Sequence, residues 1–524
     1  VSFWQVMMLS AGRAVVIGLL GVLVGVGVAY MLGWVLSARQ KGGKKIGFVQ
    51  WCVMGIGLVV VAGPMGLPSL VVGYAWGDSG VASELGNVLG LPMGKWFVKQ
   101  AWLAELLYGV LLLGRYGVVS GFVMRYGPSG GHDGEGVWWA KRVGGVKGFW
   151  MGCQGWIGSA LIAFCGVFLL VFGEFEIASL MGRPTWSVWL FDAQVGGLDV
   201  GRAMLNVVWP MGLQVLVVGG CAVWYLRREG RIGVNDRWGL RDEDRCVSWK
   251  LLAGAGWCLF AFLMVVGLPM WYLMSEGVAG VRGVIDAGMF EDDLWYSGVY
   301  ALIGTMGVGV ILIAMWWVMR RVKWMSRGGA DVVIGGVAAM GLCGGLIVGM
   351  VLVSFRQWFE GLTGNDFFSD VVVGEWLLIG MGLMVVLLPM GWVLGLLARA
   401  KRERQSIYVA KMMWGGGVDR YIRWRGFGIW WRKYGRVWYW VGAYVFFQGF
   451  FELSASAVLY PAGGTPAGVR MYNLMHYGQS QVLSGMVLLS LLACGGVVLI
   501  GNVVVGVAVK CGGRFWFQWA GMRG

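Results

Sequence analysis

The run AVVIGLLGVLVGVGVAYMLGWVL at 14–36 carries no charged side chain over a length that reaches across a bilayer. A helix rises 1.5 Å per residue, so roughly 20 apolar residues cover the hydrocarbon core. Comparable runs lie near 50–76, 101–124, 152–173, 204–226, 251–274, 296–318, 331–354, 376–398, 437–459 and 482–508, making eleven. With 58% hydrophobic and 13% charged side chains in 524 residues, the chain holds more apolar surface than a soluble core can bury. The expected fold class is an all-α polytopic membrane protein of about 11–12 transmembrane helices. No small-residue cleavage site follows the first run, so it reads as a retained helix rather than a signal peptide.

The net charge of +15 is distributed by loop. The loop at 37–46 holds Arg39, Lys41, Lys44 and Lys45 without an acid, whereas 77–100 sets Asp78 and Glu84 against Lys95 and Lys99. Basic loops recur at 125–151, 227–250, 319–330 and 399–436 and in the tail after 508. This alternation is the positive-inside pattern. It places the basic loops and the C-terminus in the cytoplasm of a cell inner membrane, and the lipid bilayer, not nucleic acid, explains the bases. Eleven spans would then put Val1 outside, so one further upstream helix is expected.

The chain offers little for chemistry of its own. Nine cysteines form no Cys-x-x-Cys pair, and no His or Cys cluster has metal-ligand spacing. His132 and His476 fall in loops on opposite sides, which rules out a haem held between them in the bilayer. No lysine precedes Ser or Thr, so a Gly-Lys-Ser/Thr phosphate loop is absent. The expectation is a non-enzyme with no metal and no cofactor.

Two long basic loops each precede a span that ends in acids, small residues and a proline. The first copy reads FGEFEIASLMGRP at 172–184, with Glu174, Glu176, Ala178 and Ser179; the second reads FFELSASAVLYP at 450–461, with Glu452, Ala455 and Ser456. The order of elements divides the chain into two homologous bundles, 1–235 and 245–524, about a pseudo-twofold axis. Glu174, Glu176, Glu452 and Ser456 are candidate pathway or gate residues near the outer mouth, because a carboxylate at such a depth should face the bundle interior. Glu105 and Arg115 lie ten residues apart on one span, too far to pair with each other, so each needs a partner elsewhere.

The loops themselves read WWAKRVGGVKGFW at 138–150 and YVAKMMWGGGVDRYIRWRGFGIWW at 408–431. Here the chain resembles the permeases of binding-protein-dependent ABC importers, whose cytoplasmic signature is Glu-Ala-Ala, three residues, then Gly. Trp138, Trp139, Ala140 and Gly144 hold that spacing, with the second Ala and the Gly in agreement. Ala410, Lys411 and Gly415 form a second copy one residue out of register. Neither loop has the Glu or the Leu-Pro that follows in the family. The segments after the loops resemble those of fused, two-half permeases of the ferric-iron and thiamine type, down to the Arg470-Met471-Tyr472 stretch. The resemblance implies a type I ABC importer permease fold. It also implies two copies of an ATPase subunit bound at the loops with the ATP, and an extracytoplasmic solute-binding protein. The other readings are an ion-coupled secondary carrier using Glu105, Glu174 or Glu452, and a membrane-embedded enzyme or assembly subunit.

Overall fold

The computed structural model describes residues 2–37, 48–77, 80–89, 100–126, 145–196, 200–229, 249–286, 288, 290–321, 337, 341, 344–363, 375–400, 408–410, 412–413, 426–461, 463–477 and 479–521. Every regular element among them is helical. In order they are α1 (Phe3–Ser37), α2 (Phe48–Gly66), α3 (Ser69–Trp76), α4 (Val81–Leu89), α5 (Ala101–Tyr126), α6 (Gly145–Phe172), α7 (Glu176–Leu180), α8 (Trp186–Val195) and α9 (Val200–Glu229). There follow α10 (Trp249–Phe262), a π-turn at Leu263–Gly267, α11 (Leu268–Asp286), α12 (Phe290–Arg321), α13 (Gly345–Thr363) and α14 (Glu375–Ala400). A second π-turn at Trp431–Gly435 leads into α15 (Arg436–Phe450), α16 (Ser456–Leu459), α17 (Ala467–His476) and α18 (Ser480–Gly521).

Among the described residues seven helices are long and apolar enough to cross a membrane, or eight when the bent pair α2–α3 counts as one span, against the eleven expected over the full chain. Their polarity is inverted relative to a soluble protein. Leu23, Leu216, Val278, Ile313 and Leu492, on five different helices, are each more than two-thirds exposed, whereas Ser10, Arg115, Glu174, Asp293, Ser297 and Ser456 are buried. An apolar exterior over a polar-seeded interior is what a bilayer solvent selects. The chain is a multi-pass, all-α membrane protein.

Several expected spans differ in their limits. The first begins at Phe3 rather than at 14, because Arg13 does not end the apolar run but turns inward. The run at 50–76 bends by 83° between Gly66 and Ser69, where Pro68 cannot donate to the helical ladder. Of the run expected at 331–354, residues 337, 341 and 344–354 are described, and α13 covers Gly345–Thr363. That expected at 437–459 stops at Phe450, and the described apolar stretches of α6 and α9, Ile157–Phe172 and Leu205–Cys221, are shorter than a full span.

Two groups of helices share one plan. In the first, α1, α5 and α6 pack on one another, α7 packs on α3, and α8 lies on α1 and α9. In the second, α12, α14 and α15 pack together, α16 lies on α13, and α17 lies on α12 and α18. Helices α10 and α11 tie the groups together. Before the π-turn α10 packs on α1, and beyond it α11 runs along α18. The α11–α18 contact is backbone to backbone: a Cβ on Gly280 would strike the Gln481 carbonyl, and one on Gly485 would strike Gly280. One apolar core runs through both groups, from Phe3 and Phe172 to Phe451 and Leu483.

Candidate functional site

The site is built from two chain breaks. After α6 the ladder stops at Gly173, and the Glu174 carboxylate takes over as a cap: Oε1 accepts the Ile177 N–H at 3.0 Å, and Oε2 accepts the Tyr116 hydroxyl. After α15 the ladder stops at Phe451, and Glu452 does the same work. Its Oε1 accepts the Ala455 N–H at 2.8 Å, and its Oε2 accepts the N–H and the hydroxyl of Ser456, both at 3.1 Å. In both places a glutamate accepts the amide three residues on, satisfying a donor that a new helix start leaves orphaned.

The chain then turns at a glycine with positive φ, Gly182 at 61° and Gly463 at 85°, a conformation that costs a side-chain-bearing residue. A ten-residue helix follows each turn, α8 and α17. The first N–H of α8, from Trp186, donates to Ser10 Oγ at 3.1 Å, and the first N–H of α17, from Ala467, donates to Ser297 Oγ at 2.6 Å. Ser10 stands seven residues into α1 and Ser297 seven residues into α12. The same hydroxyl at the same helical offset thus anchors the same turn twice.

The two breaks also meet each other. Glu176 Oε1 accepts the Leu453 N–H at 3.2 Å, so a carboxylate from the first segment caps backbone in the second. The carboxylates of Glu174 and Glu452 and the Arg115 guanidinium all act on Glu176 electrostatically. Ser179 Oγ lies 3.4 Å from the Tyr472 hydroxyl.

A third break borders this junction. Met65 and Leu67 carbonyls, freed where α2 gives way to α3, are met by other elements: Tyr444 Oη donates to Met65 O at 2.8 Å, Gln448 Nε2 to the same oxygen at 3.3 Å, and Arg115 to Leu67 O. Non-helical backbone inside a membrane protein persists only where its polar groups are met in this way.

The structure therefore brings Glu174, Glu176, Glu452 and Ser456 into one polar junction between the two groups. Glu105 and Arg115 find partners on other elements, as their separation requires. Arg13 of α1 grips the Glu105 carboxylate, with Nη2 2.8 Å from Oε2, and donates through Nη1 to Pro184 O at 2.6 Å. Trp138, Trp139, Ala140, Gly144, Lys411 and Gly415 lie outside the described residues. Ala410 is buried, between the exposed side chains of Tyr408, Val409 and Met412.

Sequence reasoning passed over Ser10, Ser297, Tyr116 and the α2–α3 break. The serines carry no local signature, since a hydroxyl in an apolar helix usually serves its own backbone. The break did have one: GPMGLP at 63–68 sets two prolines and two glycines in six residues. No family model, curated protein or solved structure matches the chain.

Proposed function

We propose that the chain is the membrane permease of an ATP-driven importer, two homologous halves in one polypeptide enclosing a translocation pathway. The observation that carries this reading is the recurrence of a whole device. A long helix, a glutamate-capped break, a short helix, a positive-φ glycine and a ten-residue helix anchored on a serine of the group's first helix occur twice, each after a basic loop. Unrelated segments have no reason to share both the cap and the anchor. Duplicated bundles facing each other across a pseudo-twofold axis leave a central seam that can open to either side, which is what alternating access needs.

In this reading the basic loops around Ala140 and Ala410 face the cytoplasm and receive two ATPase subunits, and a solute-binding protein delivers cargo on the other side. The glutamate-capped breaks act as the moving seam. Ferric iron leads as cargo on the resemblance of the post-loop segments, with thiamine or another small charged solute next. Uptake of both into right-side-out vesicles tests the assignment. ATP depletion should stop transport, while collapse of the ion gradients should leave it intact. Uptake of neither solute would remove the cargo assignment.

A second reading is favoured by one observation, the grouping of three buried or half-buried carboxylates beside an interrupted helix. An ion-coupled carrier would use such groups directly. It predicts the opposite vesicle result, with uptake lost on gradient collapse and kept without ATP.

A further inference from the structure

Helices α8 and α17 begin at equivalent anchors, so their residues can be matched from the first position onward. Phe191 is the sixth residue of α8 and Tyr472 the sixth of α17. These two counterparts touch: their ring centroids are 6.3 Å apart and their planes are perpendicular at 89°. In a twofold arrangement a residue contacts its own image only beside the axis, because the separation of the two is twice the distance of each from it. Half of 6.3 Å puts each ring about 3 Å from the axis. Both rings are half-buried, each backed by a different part of the first break region. Phe175, next to Glu174, lies 5.2 Å from Phe191, and Ser179 on α7 lies within hydrogen-bond reach of the Tyr472 hydroxyl.

We propose that Phe191 and Tyr472 form an aromatic plug that closes the translocation pathway where it crosses the pseudo-twofold axis. The inference rests on the permease reading and adds the location of its constriction. Two rings set edge to face fill the space beside the axis with apolar surface, which excludes hydrated ions and small polar solutes. Their supports couple the plug to the breaks. A shift of the Glu174 segment moves Phe175 and Ser179, and with them both rings, so separation of the two halves withdraws the plug without any change inside α8 or α17.

The test uses the full chain in liposomes loaded with a small polar dye. Phe191→Gly combined with Tyr472→Gly should raise dye leak at least tenfold over the unaltered chain, whereas Phe355→Gly on the exposed face of α13 should leave it unchanged. A separate variant, Phe191→Cys with Tyr472→Cys, keeps the surrounding structure and reads adjacency directly: a short bismaleimide should link the two halves covalently after a protease cut between them. No cross-link, or a cross-link with liposomes that stay tight in the glycine variant, overturns the plug. These outcomes are separable from failure of the permease reading. A leak without any ATPase partner removes the energy source and keeps the plug; tight liposomes with an ATPase partner do the reverse.

Discussion

Glu452 interrupts the greasy run FFELSASAVLYP because the run is not one helix. The carboxylate closes α15 and opens α16, and Glu174 does the same between α6 and α7. A carboxylate that accepts two or three donors in an apolar interior is cheap to keep and costly to remove, since each donor left without a partner costs about 1–3 kcal/mol. Glu452→Ala should therefore lower the unfolding midpoint in detergent distinctly, and Glu452→Gln, which retains one acceptor, by less. Equal midpoints for both variants and the parent would contradict the capping role. For the gate, unchanged transport in Glu452→Gln would show that the charge itself has no part in it. Ser10→Ala and Ser297→Ala each strand one helix-start N–H, so both should destabilise, by about 1 kcal/mol and to a similar degree. The glutamates stood out in the sequence as charges in apolar runs. The serines did not, because their partners are 176 and 170 residues away in the chain.

At the level of elements, run length made the all-helical membrane class legible. Against the eleven spans expected, seven helices among the described residues, or eight with the bent pair, are long and apolar enough to cross a membrane, and the glutamate-capped interruptions were not legible. Hydropathy does not register a break at Phe451 or Gly173, because the residues on both sides stay apolar and the glutamate that makes the break possible counts as one polar residue in a window. Arg13 misled in the opposite sense. It marks a helix end by hydropathy, yet it lies within α1, with its guanidinium held by Glu105 and the Pro184 carbonyl. The abundant glycines have a packing use at α11–α18, where Gly280 and Gly485 let two backbones touch. Gly280→Val should cost about 3 kcal/mol, the upper end for overpacking. Gly219→Val on α9, where a Cβ meets nothing within 4 Å, should cost far less. Thermal unfolding of the two variants side by side checks this, and equal loss in both would remove the close-approach argument.

For the whole molecule, the two groups and the tie between them set what can move. Each group carries its own three-helix pack, and the α10–α11 helix crosses from one to the other through a π-turn. Among the described residues the groups are tied by the Glu176–Leu453 and Ser179–Tyr472 contacts, by Tyr444 and Gln448 on the Met65 carbonyl, and by Tyr74 on Ser480 and Ser484. In the proposed permease, opening that seam breaks these ties and parts the apolar core that spans both groups, work assigned there to the partner ATPase. The proposed partner subunits rest on the loop resemblance, and of the loop residues that carry it Ala410 is among the described residues. The native mass of the particle extracted in mild detergent tests this most directly, measured beside a variant with Ala140→Arg, Tyr408→Glu and Met412→Glu. The permease account predicts one copy of this chain with two copies of an ATP-hydrolysing subunit, lost in the variant while the chain stays folded. The chain alone, or paired only with itself, would contradict it.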